Sequence, residues 1–181
     1  MKARWYTLAI LGALLGGCVS MSAYRDPESG PRARVRFVAD TWDVSVLYKY
    51  ADAECKTGEQ EMMRLHAGSS FNRSPPRRLG MPLWQFHDNE AQEVYVTPGP
   101  FYGRFEGGVD AGLTTFTCKT PFSFAPEAGH DYEVRFVVSP PKCGVEIAEI
   151  RSTGGSESIR VPMAGNQLPP DACMQHRLRL L

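Results

Sequence analysis

The sequence predicts an all-β domain, a β-sandwich, on three observations. Apolar and polar residues alternate with period two over many short runs, clusters of Gly, Pro, Asp and Ser separate those runs, and no long stretch shows convincing helical spacing. Nine or so short strands joined by frequent turns fit a sandwich, with an open barrel as the alternative.

The chain opens with a segment of another kind. Lys2 and Arg4 are followed by WYTLAILGALLGG, which carries no charge before Cys18. A charged start and an apolar run are the layout of a signal peptide. The run is shorter than the roughly 20 residues that a membrane-spanning helix needs. Leu15-Gly16-Gly17-Cys18 resembles the lipobox of bacterial lipoproteins. The resemblance implies that the Cys18 thiol receives a diacylglyceryl group, that the signal is cut before it, and that the new amino terminus is acylated, for example with palmitate. A plain signal peptide that happens to contain a cysteine is the alternative. Each buried methylene contributes about 0.8 kcal/mol, so two or three acyl chains hold a protein firmly to a bilayer. Val19 follows the cysteine, where an aspartate would resemble the inner-membrane retention signal of enteric bacteria. By that resemblance the destination is the outer membrane, facing the periplasm.

These features divide the chain into a signal peptide (1–17), a lipidated cysteine with a flexible tether (18–33) and a β-sandwich domain (34–181). Cleavage leaves 164 residues (181 less 17), enough for one domain with a real core. Loss of Lys2 and Arg4 leaves 18 basic against 20 acidic residues, a formal net charge of −2. Such near-neutrality argues against a nucleic-acid partner, whose phosphates reward basic surfaces. The tether, VSMSAYRDPESGP, is polar and broken by Pro27, Gly30 and Pro31.

The strands follow in order. RVRFVA is the first. In TWDVSVLYKY, Trp42, Val44, Val46, Tyr48 and Tyr50 share one face and are expected in the core, with Asp43, Ser45 and Lys49 on the other. EQEMMRLH reads as a strand or as one or two helical turns. QEVYV, PFYGRF, LTTFTCK, PFSFA, DYEVRFVV, GVEIAEI and SIRV complete the set, separated by VTPGP, EGGVDAG, APEAGH, SPPKCG and STGG. FAPEAGHDYEVRF resembles the corner of immunoglobulin-like and transthyretin-like sandwiches, where the chain crosses between sheets. There Tyr132 is expected to hydrogen-bond back to the corner. An ordinary hairpin with a half-buried tyrosine is the alternative.

Four cysteines follow the lipobox: Cys55, Cys118, Cys143 and Cys173. An even count in an exported chain predicts two disulfides, because the periplasm is oxidising. Zinc sites favour cysteine pairs two to four residues apart, and these are spaced far more widely. Four cysteines allow three pairings, and the spacing does not choose among them.

The region from about Leu79 to Met163 resembles a family of uncharacterised proteobacterial lipoproteins. The shared pattern is Gly80-Met81-Pro82, a stretch at Val96-Thr97-Pro98-Gly99-Pro100, Cys118, Phe124-Ala125-Pro126-Glu127-Ala128-Gly129-His130-Asp131-Tyr132, and Cys143. Val96-Thr97-Pro98-Gly99-Pro100 departs from the family spacing, since proline follows glycine directly. The resemblance implies the fold and the anchor and brings no activity with it.

Chemistry is sparse. His66, His87, His130 and His176 are scattered, and no HExxH, GxSxG or phosphate-cradling glycine loop occurs. HDNE, residues 87–90, gathers a histidine and two carboxylates, a conceivable metal or acid-base site. Adjacent side chains on an extended segment point apart, so a polar surface loop is the expected role. No metal and no cofactor are expected. FNRSPPRRLGMP, residues 71–82, is the expected contact loop: Pro75 and Pro76 stiffen it, and Arg73, Arg77 and Arg78 can grip carboxylate or phosphate bidentately. A solvated loop is the alternative.

Together these readings predict a lipid-anchored envelope protein acting as a binding or structural accessory module and not as an enzyme. Its expected partners are the membrane, through Cys18, and an envelope protein or anionic glycan. The rival is a periplasmic enzyme inhibitor, or a hydrolase whose site assembles only in three dimensions. A pocket that brings His87 or His130 to a cysteine or carboxylate would favour the hydrolase.

Overall fold

A computed structural model describes residues 24–41, 43–66, 76–110, 115–154, 157–164 and 166–168. They form ten strands: β1 (Ala33–Asp40), β2 (Ser45–Tyr50), β3 (Gln60–Leu65), β4 (Ala91–Val96), β5 (Phe101–Asp110), β6 (Thr115–Phe124), β7 (Asp131–Ser139), β8 (Lys142–Ser152), β9 (Ser158–Pro162) and the short β10 (Asn166–Gln167). Two five-stranded sheets result, in the orders β4-β1-β7-β8-β9 and β10-β6-β5-β2-β3. They pack face to face as the predicted β-sandwich. All neighbouring pairs are antiparallel except β1 and β7, which run parallel.

The inner faces meet in an aromatic core. Val35 and Phe37 of β1, Val134 and Phe136 of β7 and Val94 and Val96 of β4 point inward from the first sheet. Phe101, Phe105 and Phe122 answer from the second. Phe105 and Phe136 stack across the gap with centroids 5.1 Å apart and planes 3° from parallel. Burying each such ring stabilises the fold by about 1.5–3 kcal/mol. Gly103 makes room for the stacked Phe101 and Phe122 rings, because a Cβ there would come within 2.6 Å of the Phe122 ring.

Cys118 of β6 and Cys143 of β8 form a disulfide that bolts the two sheets together, with Cα atoms 6.3 Å apart. A bridge closing 25 residues contributes about 2–4 kcal/mol. The corner behaves as expected of it: the Tyr132 hydroxyl accepts the Glu127 N–H at 3.0 Å. LTTFTCK and PFSFA, read as separate strands, are one. β6 runs through Pro121, where its outer edge lies beyond the two residues that β10 covers.

β2 corrects one expectation. Its core residues are Ser45 and Leu47, both fully buried, and Val44 is 41% exposed. Val46, Tyr48 and Tyr50 lie on the outer face, the reverse of the expected phase; Trp42 lies outside the described residues. The outer face takes large aromatics because it is itself covered. Tyr50 is buried against Cys55, with Tyr48, Tyr102 and Leu168 packed around them. The Arg104 guanidinium sits 5.0 and 5.3 Å from the Tyr48 and Tyr50 ring centroids. EQEMMRLH resolves as strand β3. A register shift opposite Leu47 and Tyr48 lets the consecutive Met62 and Met63 both be buried, which hides the period of two.

The later part of the segment expected as a tether is docked. From Tyr24 onward the chain lies on the domain: the Tyr24 hydroxyl donates to the Tyr95 carbonyl at 2.8 Å, and Asp26 pairs with Arg77. Residues 18–23, which precede this docked part, lie outside the described residues.

Candidate functional site

The outer face of the first sheet carries a row of charges. Glu93 of β4, Arg36 of β1 and Glu133 of β7 stand side by side by register. Each strand points its even or odd positions outward, and the pairing brings the three together. Arg36 is fully buried, an unusual place for a guanidinium. Its Nη2 lies 2.7 Å from Glu93 Oε1 and its Nη1 lies 3.1 Å from Glu133 Oε2. Arg135 and Arg160 add further bonds to Glu133, at 3.1 and 2.9 Å.

Residues 76–90 cover this row as a strap. Arg36 donates to the carbonyls of Met81, Pro82 and Leu83 at 3.0, 2.7 and 3.4 Å. Glu93 in turn accepts the Leu79 and Met81 N–H groups through Oε2. Leu83 adopts a left-handed φ of 60°, which helps turn its carbonyl toward Arg36 and Arg160. Trp84 and Phe86 roof the guanidinium, their ring centroids 5.3 and 5.7 Å away. Burial pushes the Glu133 pKa up, yet hydrogen bonds from Arg160, Arg135 and Arg36 outweigh it and hold the carboxyl below its ordinary 4.5.

The expected contact loop lies at the start of this strap. Arg77 pairs with Asp26, and Arg78 pairs with Asp88 at 2.6 Å while its guanidinium lies 4.1 Å over the Trp84 ring. Any acidic ligand would compete with those carboxylates. Arg73 lies outside the described residues. HDNE forms a tight surface turn in which Glu90 N–H donates to the His87 carbonyl at 3.0 Å. Its Asp88 serves Arg78. Among the described residues no three His, Cys, Asp or Glu side chains gather as metal ligands would.

Two clefts flank the end of β9 and share Pro162 and Met163. The first, about 620 Å³, lies by the tyrosine corner. There His130 Nδ1 is 2.7 Å from Glu149 Oε1, and Arg151 Nη2 holds the other carboxylate oxygen at 2.5 Å. Glu149 is kept below its ordinary pKa by the Arg151 hydrogen bond first and the His130 bond second. Since Nδ1–H serves the carboxylate, the imidazole presents Nε2 outward, 4.0 Å from Glu127 Oε2. The second cleft, about 660 Å³, runs along β8, with Arg135, Arg160 and Glu146 at its polar end and Val145 and Ile147 as apolar wall.

The two clefts lie on either side of the β9 end, the Glu149 side chain and the Arg135–Arg160 pair projecting from opposite faces of the sheet. His130 was a candidate in the sequence, but its partner Glu149 was not. Glu149 lies 19 residues from His130 and meets it only through the β7–β8 pairing. The signal present in the sequence was the run of glutamates inside strands, in DYEVRF and GVEIAEI, where burial would demand partners.

Cys55 is buried and disulfide-bonded. With Cys118 and Cys143 paired to each other, Cys18 and Cys173 are the remaining cysteines, and both lie outside the described residues. No family model, no curated protein and no solved structure matches the chain.

Proposed function

We propose that the protein is a lipid-anchored component of the bacterial outer membrane, facing the periplasm, whose sandwich binds an envelope protein or an anionic glycan. The lipobox Leu15-Gly16-Gly17-Cys18 after a charged and then apolar leader carries the reading. The disulfides support it, because such bonds persist in oxidising compartments. The cleft along β8 supports a binding role: Val145 and Ile147 give it an apolar wall that suits an extended chain, beside Arg135 and Arg160, which Glu133 already engages. Cys18→Ala should move the protein from the membrane fraction to the soluble fraction, or leave it unprocessed. A variant that fractionates and migrates as the wild type does would refute the anchor.

One observation favours a hydrolase as the second reading. His130 bonded to Glu149 within a cleft is the geometry of an oriented general base acting on water. It predicts turnover of an ester, amide or glycoside reporter that disappears in His130→Ala. A wild-type protein inert toward all three classes contradicts it.

A further inference from the structure

We propose that the docked exit segment fixes the orientation of the sandwich on the bilayer. The end carrying Tyr24 and the tyrosine corner faces the headgroups, and the turn between β7 and β8 points away. The inference rests on the lipid anchor at Cys18.

Three contacts hold the exit segment. Tyr24 packs against the core and donates to Tyr95, and burial first, with Asp26 second, raises its pKa to about 12. Asp26 pairs with Arg77 across the strap. The Arg32 carbonyl accepts the Gly129 N–H at 3.0 Å, tying the segment to the corner. From Tyr24 onward the chain is held against the domain. Six residue steps separate Tyr24 from Cys18, a reach of at most about 20 Å. The eleven residues of β8 span about 35 Å along the sandwich. The tether is thus shorter than the domain is long, and the exit end stays close to the lipid surface.

Charge is not what orients the molecule. Arg25 and Arg32 are exposed at the exit end, but so are Glu28 and Glu127. The arrangement should therefore be insensitive to anionic lipid and to salt, unlike electrostatic docking.

Lipidated protein carrying a fluorophore at Glu28→Cys or at Lys142→Cys is reconstituted in phosphatidylcholine vesicles containing a nitroxide-headgroup lipid. Quenching should be several-fold stronger at position 28, with or without added phosphatidylglycerol. Inserting about 20 Gly and Ser residues after Met21, which adds roughly 25 Å of flexible reach, should shrink the difference. Equal or reversed quenching, a difference that appears only with phosphatidylglycerol, or one that survives the insertion overturns the proposal. Flotation separates this from loss of its premise: if wild type and Cys18→Ala both stay off the vesicles, the anchor itself is absent and the orientation falls with it.

Discussion

Glu133 shows how one buried carboxyl ties the fold to pH. Its folded pKa lies below the ordinary 4.5 because three guanidiniums bond to it. A depressed carboxyl stabilises the folded state at pH values above its unfolded pKa. That contribution is lost as pH falls through the lower folded value. Urea midpoints should hold from neutral pH to about 4.5 and then fall, and Glu133→Gln should flatten the acid limb. An acid limb identical in the variant and the wild type would remove Glu133 from the account. Glu149 shares the direction of shift, but its partners Arg151 and His130 are half-exposed and better screened.

At the scale of elements, Arg36 ties the strap formed by residues 76–90 to β1 through three carbonyls. Arg36→Met removes the bonds to three strap carbonyls and leaves Glu93 with only the Leu79 and Met81 N–H groups, while Glu133 keeps Arg135 and Arg160. Breaking a buried pair from one side costs about 3–5 kcal/mol. The variant should lose that much by denaturant unfolding, and hydrogen exchange at the Leu79 and Met81 amides should accelerate. Unchanged protection there would mean that the strap stands without the network.

The strands themselves were legible, since RVRFVA, QEVYV and DYEVRFVV show their alternation locally. The phase of β2 was not, because an aromatic outer face looks like a core face until the segment that buries Tyr50 is in place. Arg36 was equally opaque. Whether an arginine in a strand is exposed depends on a cover some 45 residues away. The stretches that stood out in the sequence fall on structural parts: Gly80-Met81-Pro82 lies where Arg36 grips the strap, Phe124 to Tyr132 forms the corner, and Cys118 and Cys143 bridge the sheets.

At the scale of the whole molecule, the proposal divides five cysteines between two roles. It assigns lipid to Cys18; Cys118 pairs with Cys143, and the disulfide-bonded Cys55 is proposed to pair with Cys173. The most direct test is intact and peptide-level mass spectrometry of the non-reduced protein extracted from membranes. The account predicts a chain beginning at a diacylglyceryl-modified Cys18, with Cys118 linked to Cys143 and Cys55 linked to Cys173. A chain that retains residues 1–17, an unmodified Cys18, or a free thiol at Cys55 would contradict it.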